Sequence, residues 1–202
     1  MDVRAVIFDL DGTLFDKRGL ALRLVWSQIK CGHLLTLRRE RQVRRLMAGR
    51  HFADGTAFET AFFSHFPKPE KVRDWYHHTY MPEMVQQLRL HYRVAGWVQP
   101  QFRELRDAGV LTAVFSDYGC VREKLEAIGF DPLWADFLFE APALGGLKPC
   151  KESFGQICEV MGVLPDECLM VGDRDDTDGA GARAAGMGFR KVYSAEPAAL
   201  RL

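Results

Sequence analysis

Short apolar runs and longer amphipathic stretches alternate along most of this chain. Residues 3–9, 110–115, 137–139, 168–171 and 189–193 form nearly continuous apolar segments of strand length. That texture predicts strands buried on both faces of a parallel sheet. Between the later runs, residues 98–108, 120–128, 152–161 and 177–185 have helical spacing, and each is followed by a glycine: Gly109, Gly129, Gly162 and Gly186. A glycine in that place suits a left-handed helix C-cap. Strand–helix alternation predicts an α/β sheet that presents its chemistry at the C-terminal ends of the strands. Residues 17–92 break the pattern. They contain no strand-like run but helical segments over 21–30, 37–48, 56–66 and 69–88, where an ordinary crossover would be one helix. A helical insertion over the active edge is expected there, with 1–16 and 93–202 forming the sheet-bearing core.

The polar residues that interrupt this pattern gather at strand ends. The first strand runs into Asp9-Leu10-Asp11-Gly12-Thr13. Residues two apart in extended chain point the same way, so both carboxylates can face one small volume, and a cation or a proton must relieve their repulsion. A simple Asp-Gly turn is the plainer reading. A calcium loop is disfavoured, because its twelfth position requires Glu and here holds Leu20. The second strand ends in Ser116-Asp117, which fits either a phosphate cradle or a helix cap. Lys148 follows the third strand in a Gly-rich loop, where solvent exposure is the plainer expectation. After the fourth come Asp173, Asp175, Asp176 and Asp178. Asp175 and Asp176 fit a helix N-terminus, whereas Asp173, directly after its strand as Asp9 is, fits a divalent-cation site of the kind magnesium prefers.

Composition narrows the setting. The 202 residues are 48% hydrophobic with a formal net charge of +0, which removes any global electrostatic case for nucleic acid or membrane. No apolar run has membrane-spanning length and no signal peptide is read before Asp2. Five cysteines without Cys-x-x-Cys spacing suggest free thiols in a reducing compartment, so a cytoplasmic location is expected. Charge is locally uneven: between Lys17 and Arg50 there are ten basic residues and, among acids, only Glu40. That stretch is either a solvated helix face or an attractor for an anionic substrate.

Taken in order, Asp9-x-Asp11-Gly12-Thr13, Ser116, Lys148-Pro149 and Gly172-Asp173 with Asp178 resemble the four motifs of the haloacid dehalogenase-like hydrolase superfamily, in its subgroup with a helical cap. The resemblance covers nearly the whole chain. It implies a Rossmann-like core with a mobile all-helical cap at 17–92, and Mg²⁺-dependent hydrolysis of a small-molecule phosphomonoester. By the same resemblance Asp9 is the nucleophile and Asp11 the acid/base. Asp9, the Asp11 carbonyl and Asp173 hold the metal with support from Asp178, while Ser116 and Lys148 hold the phosphoryl oxygens. Asp117 departs from the pattern, standing where relatives often carry Asn. A loop resembling 46–52 dips into the site of capped relatives, which makes Arg50 a donor to a second substrate anion or, equally, a charge at a helix C-terminus. A sugar-phosphate mutase would share these residues. A dehalogenase would not need Asp11, and a non-catalytic binding module would be expected to lose Asp9 or Asp11. Oligomeric state is not legible.

Overall fold

The computed structural model describes residues 2–192. Among these, five strands form one parallel sheet: β1 (Ala5–Asp9), β2 (Leu111–Ser116), β3 (Phe137–Glu140), β4 (Cys168–Gly172) and β5 (Gly188–Lys191), in the order β3-β2-β1-β4-β5. β1 is central, and all five of its residues are buried. It pairs with β2 (Asp9 opposite Phe115) and with β4 (Phe8 opposite Val171). Continuous apolar sequence is what a strand covered on both faces requires. The strand expected at 189–193 is β5, except that Tyr193 lies outside the described residues.

Helices α6 (Val98–Asp107), α7 (Val121–Ala127), α8 (Lys151–Met161) and α9 (Ala180–Ala184) follow the sheet-bearing half of the chain. The glycines expected to close these segments all have positive φ, from 68° at Gly162 to 86° at Gly186. Gly181 is held by packing: a Cβ there would fall on the ring of Phe154, so α9 crosses α8 only with no side chain at that position.

Between β1 and β2 the chain is helical: α1 (Leu20–Lys30), α2 (Leu34–Met47), α3 (Gly55–Ser64), α4 (Pro69–Trp75) and α5 (Met81–His91). The single helix expected at 69–88 is instead α4 and α5 joined through a π-helical turn, Tyr76–Tyr80, which buries both tyrosines of one five-residue step. Leu24, Leu37, Val43, Phe58, Phe62, Trp75, Met84 and Leu88 fill the space between these helices. The exit and return of this segment lie together: the Ala95 N–H donates to the Leu14 carbonyl (2.8 Å) and the Tyr92 hydroxyl to the Arg18 carbonyl (3.1 Å).

Candidate active site

Asp9 closes β1, and its two carboxylate oxygens have separate partners. Oδ2 accepts the Thr13 hydroxyl at 2.9 Å and Oδ1 accepts the Lys148 ammonium at 2.7 Å. Gly12 turns the chain with φ 104°, and a Cβ on it would lie 2.5 Å from Asp173 Oδ2. Glycine is therefore the residue that lets the loop after β1 approach the loop after β4. Asp11 points into the same volume. Its Oδ2 accepts the Ser116 hydroxyl at 3.0 Å and pairs with the ammonium of Lys124, and its backbone carbonyl accepts from Lys17 Nζ at 2.8 Å.

Lys148 is buried, not solvated. Its ammonium donates to Asp9 Oδ1 (2.7 Å), Asp178 Oδ1 (2.7 Å) and the Phe115 carbonyl (3.1 Å), which uses all three protons. Burial alone would favour its neutral form, but the carboxylates of Asp9, Asp178 and Asp117 hold its pKa far above the ordinary lysine value. Burial pushes the Asp178 carboxyl up to about 6, with Lys148 acting against the rise. Asp117 Oδ1 accepts the backbone N–H of Lys148 at 2.8 Å, and burial raises the pKa of this carboxyl. An amide oxygen would accept the same bond, so the Asp-for-Asn departure keeps the loop contact and adds charge.

Oxygen donors for a hard cation converge beside Asp9. Carboxylate oxygens of Asp9, Asp173 and Asp178 lie within 4.8 Å of one another. Asp173 Oδ1 is buried with no hydrogen-bond partner. Lys17 Nζ reaches both Asp173 Oδ2 (2.6 Å) and the Asp11 carbonyl, so a cation already sits between two of these oxygens. A donor set of carboxylates and one carbonyl, with an unpartnered buried oxygen on Asp173, fits a divalent ion of magnesium type.

A cavity of about 480 Å³ opens beside Asp11, Lys17 and Lys148, which contact this cluster. Asp11, Lys17, Asp117, Lys148 and Arg174 line it, together with Leu20 and Leu24 of α1, Arg41, Arg44 and Arg45 of α2, Tyr80 of the π-helical turn and Met84 of α5. Arg44 is fixed in place. It donates to Glu40 Oε1 (2.8 Å), the Asp117 carbonyl (2.8 Å) and the Tyr76 hydroxyl (3.1 Å), and its guanidinium lies 4.0 Å from the centroid of the Tyr118 ring. Burial works against its charge, yet Glu40 and the surrounding groups raise its pKa well above the usual arginine value.

The sequence-predicted residues divide accordingly. Asp9, Asp11, Ser116, Asp117, Lys148, Asp173 and Asp178 come together. Arg50 does not: it is exposed and stands outside the cavity lining, because Gly49 (φ 74°) turns the chain after α2 and ties it to the Leu147 carbonyl (3.1 Å). The arginines over the site are Arg41, Arg44 and Arg45, one and two turns earlier. The basic stretch is thus divided, with Lys17, Arg41, Arg44 and Arg45 lining the cavity and Arg50 outside it. Lys124 and Arg44 were not singled out by the sequence, although both carry a signal: each is a charged residue on the buried stripe of its helix.

Comparison with known proteins agrees with this geometry. A family model described as haloacid dehalogenase-like hydrolase matches residues 3–186. The chain is 27% identical to the N-acylneuraminate-9-phosphatase of Rattus norvegicus over 92% of its own length and 80% of the rat protein. It is 33% identical to the Mus musculus protein of the same name over 48% of its length, a match that spans only 39% of the mouse protein. A HAD phosphatase from Thermococcus onnurineus shares the fold with a TM-score of 0.64 at 24% identity, over 94% of this chain and 86% of that one. Structures of L-2-haloacid dehalogenases share it to a similar degree. With the family model covering most of its length and the acidic strand ends in register, the chain belongs to the haloacid dehalogenase-like hydrolase family.

Proposed function

We propose that this protein is a magnesium-dependent phosphatase that hydrolyses a small phosphomonoester through a phospho-Asp9 intermediate, with the helical segment between β1 and β2 acting as its cap. One observation carries the reading. Asp11 and Lys148 line one cavity, and Lys148 binds the carboxylate of Asp9 while Ser116 binds that of Asp11. The pair supports phosphoryl transfer over carbon–halogen cleavage, since attack on carbon has no use for a second acid.

Asp9 attacks the phosphorus atom in line while the bond to the leaving oxygen breaks, and Asp11 supplies the proton that oxygen needs. Water then attacks phospho-Asp9, Asp11 takes its proton, and the carboxylate of Asp9 is restored. Lys148 and Ser116 would exchange their present contacts for equatorial phosphoryl oxygens and spread their charge. A divalent cation held by Asp9, Asp173 and the Asp11 carbonyl would neutralise phosphoryl charge when bound. The chain supplies everything else: an anionic nucleophile, a proton carrier and a buried ammonium.

The cavity supports a substrate with a second negative group. Arg41 and Arg45 line it together with Lys17 and Arg174, and Arg45 makes no side-chain bond among the described contacts. The test is phosphate release from a panel of monoesters, with Mg²⁺ and with chelator. The panel includes carboxylated sugar phosphates of the kind named by the mammalian relatives, and no sugar bisphosphate is added. Expected are metal-dependent release, a preference for doubly anionic esters, and loss of turnover in Asp9→Asn. Full activity in Asp9→Asn, or isomerisation that requires a bisphosphate primer, would overturn the reading.

A further inference from the structure

We infer that Lys124 is a positioning residue for the second half of the reaction, holding Asp11 as the proton acceptor when water attacks phospho-Asp9; the inference rests on the phosphatase reading above. Lys124 lies on α7 and is completely buried, on the stripe that also carries Val121, Leu125 and Ile128. A lysine on such a stripe must have its charge met inside the protein. It is met at one place. The ammonium pairs with Asp11 Oδ2, lies 3.3 Å from Ser116 Oγ, and faces the Tyr118 ring at 5.5 Å from its centroid.

The surrounding bonds fix the geometry further. The Ser116 hydroxyl donates to the same Asp11 Oδ2 at 3.0 Å, and Ser116 Oγ accepts the Tyr118 N–H at 3.1 Å. Oδ2 is therefore saturated by an ammonium and a hydroxyl, and no described hydrogen bond reaches Oδ1. Pinning one oxygen of a carboxylate sets the direction of the other, so Lys124 aims Oδ1 into the cavity that Asp11 lines. A carboxylate oxygen that is held in direction and has no partner of its own is positioned to accept a proton. In the step it serves, a water oxygen bonds to phosphorus, the bond from phosphorus to the Asp9 oxygen breaks with its electron pair returning to Asp9, and the water proton passes to Asp11 Oδ1. Proton acceptance depends on this alignment, while attack of Asp9 on an activated ester does not.

The two half-reactions separate on 4-nitrophenyl phosphate, whose leaving group departs without protonation. The full-length protein with Mg²⁺, its Lys124→Met variant and its Lys124→Gln variant are followed by stopped flow for nitrophenol and for phosphate. Both variants should show a burst of nitrophenol approaching one equivalent, then steady turnover slowed by about ten- to a hundredfold, within what a positioned proton carrier contributes. KM should fall in parallel, leaving kcat/KM within about threefold of wild type, as expected when only the later step is slowed. Equal losses in kcat and kcat/KM without a burst would overturn the proposal, and so would failure of both variants to fold, because either result makes the ion pair purely structural. A wild-type protein that releases phosphate from no monoester of the panel would instead remove the phosphatase reading underneath.

Discussion

Replacing Lys148 by Met removes one buried cation from between two buried carboxylates. The Lys148 side chain is 2% exposed, Asp178 2% and Asp9 10%, and both contacts are 2.7 Å. At that separation each attraction is worth about 6 kcal/mol with an effective dielectric near 20. The desolvation of three ions, several kcal/mol apiece, cancels most of that gain. Removing only the lysine leaves the desolvation with no attraction to offset it, and such losses run to about 3–5 kcal/mol. Proton uptake limits the damage. Burial already lifts Asp178 to about 6, and without Lys148 it rises further. A buried acid with a raised folded-state pKa binds more protons folded than unfolded, so the variant loses stability as pH rises from the unfolded carboxylate range through the raised value. The expected loss is therefore about 3 kcal/mol near pH 5 and nearer 5 at pH 8, or roughly 6–20 °C in Tm for a chain of this size. Thermal denaturation in chelator at both pH values measures it, and Lys148→Met/Asp178→Asn should recover part of the loss. A Lys148→Met variant within about 2 °C of wild type at pH 8, or no recovery in the double variant, would refute the reasoning.

Two further outcomes follow from the same cluster. Lys17→Met should tighten Mg²⁺ binding by roughly fivefold, about 1 kcal/mol for a half-exposed ammonium removed from two of the oxygen donors; calorimetry showing unchanged or weaker binding would rule out competition. Asp117→Asn keeps the acceptor for the Lys148 N–H and removes a negative charge from the cavity, so KM for a phosphomonoester should fall by about two- to fivefold. A rise in KM, with unchanged Tm, would mean that the carboxylate itself contacts substrate.

The sheet was legible because buried parallel strands leave continuous apolar runs, and the acidic strand ends because their spacing and order are local features of sequence. Lys17, which reaches across to Asp173, was not: its partner is a long-range one that no local pattern announces. Arg50 shows a second limit. Spacing pointed to the loop after α2, whereas the arginines that line the cavity lie on α2 itself, before Gly49 turns the chain. Helical period would have served better there. Glu40, Val43, Arg44 and Met47 share one side of α2, so a charged pair sits among buried apolar residues, a sign that its charges are answered inside the protein. Lys124 among Val121, Leu125 and Ile128 carries the same sign. The π-helical turn at Tyr76–Tyr80 left no trace, since its cause is the fit of two tyrosines against neighbours from other helices.

The adjacency of β2, β1 and β4 turns the sheet into a ruler. Ser116, Asp9 and the Gly172–Asp173 step end three neighbouring strands. Strands stand about 4.8 Å apart, so the reacting edge is close to 10 Å wide however the side chains pack. Main-chain hydrogen bonds, indifferent to side-chain identity, set that gauge. A slip of β1 by one residue would carry Asp9 about 3.3 Å along the strand and turn it to the opposite face. Chemistry here therefore depends on the alignment of β1 between its neighbours, and substitutions deep in the sheet that shift that alignment should silence the site while every one of its residues remains present.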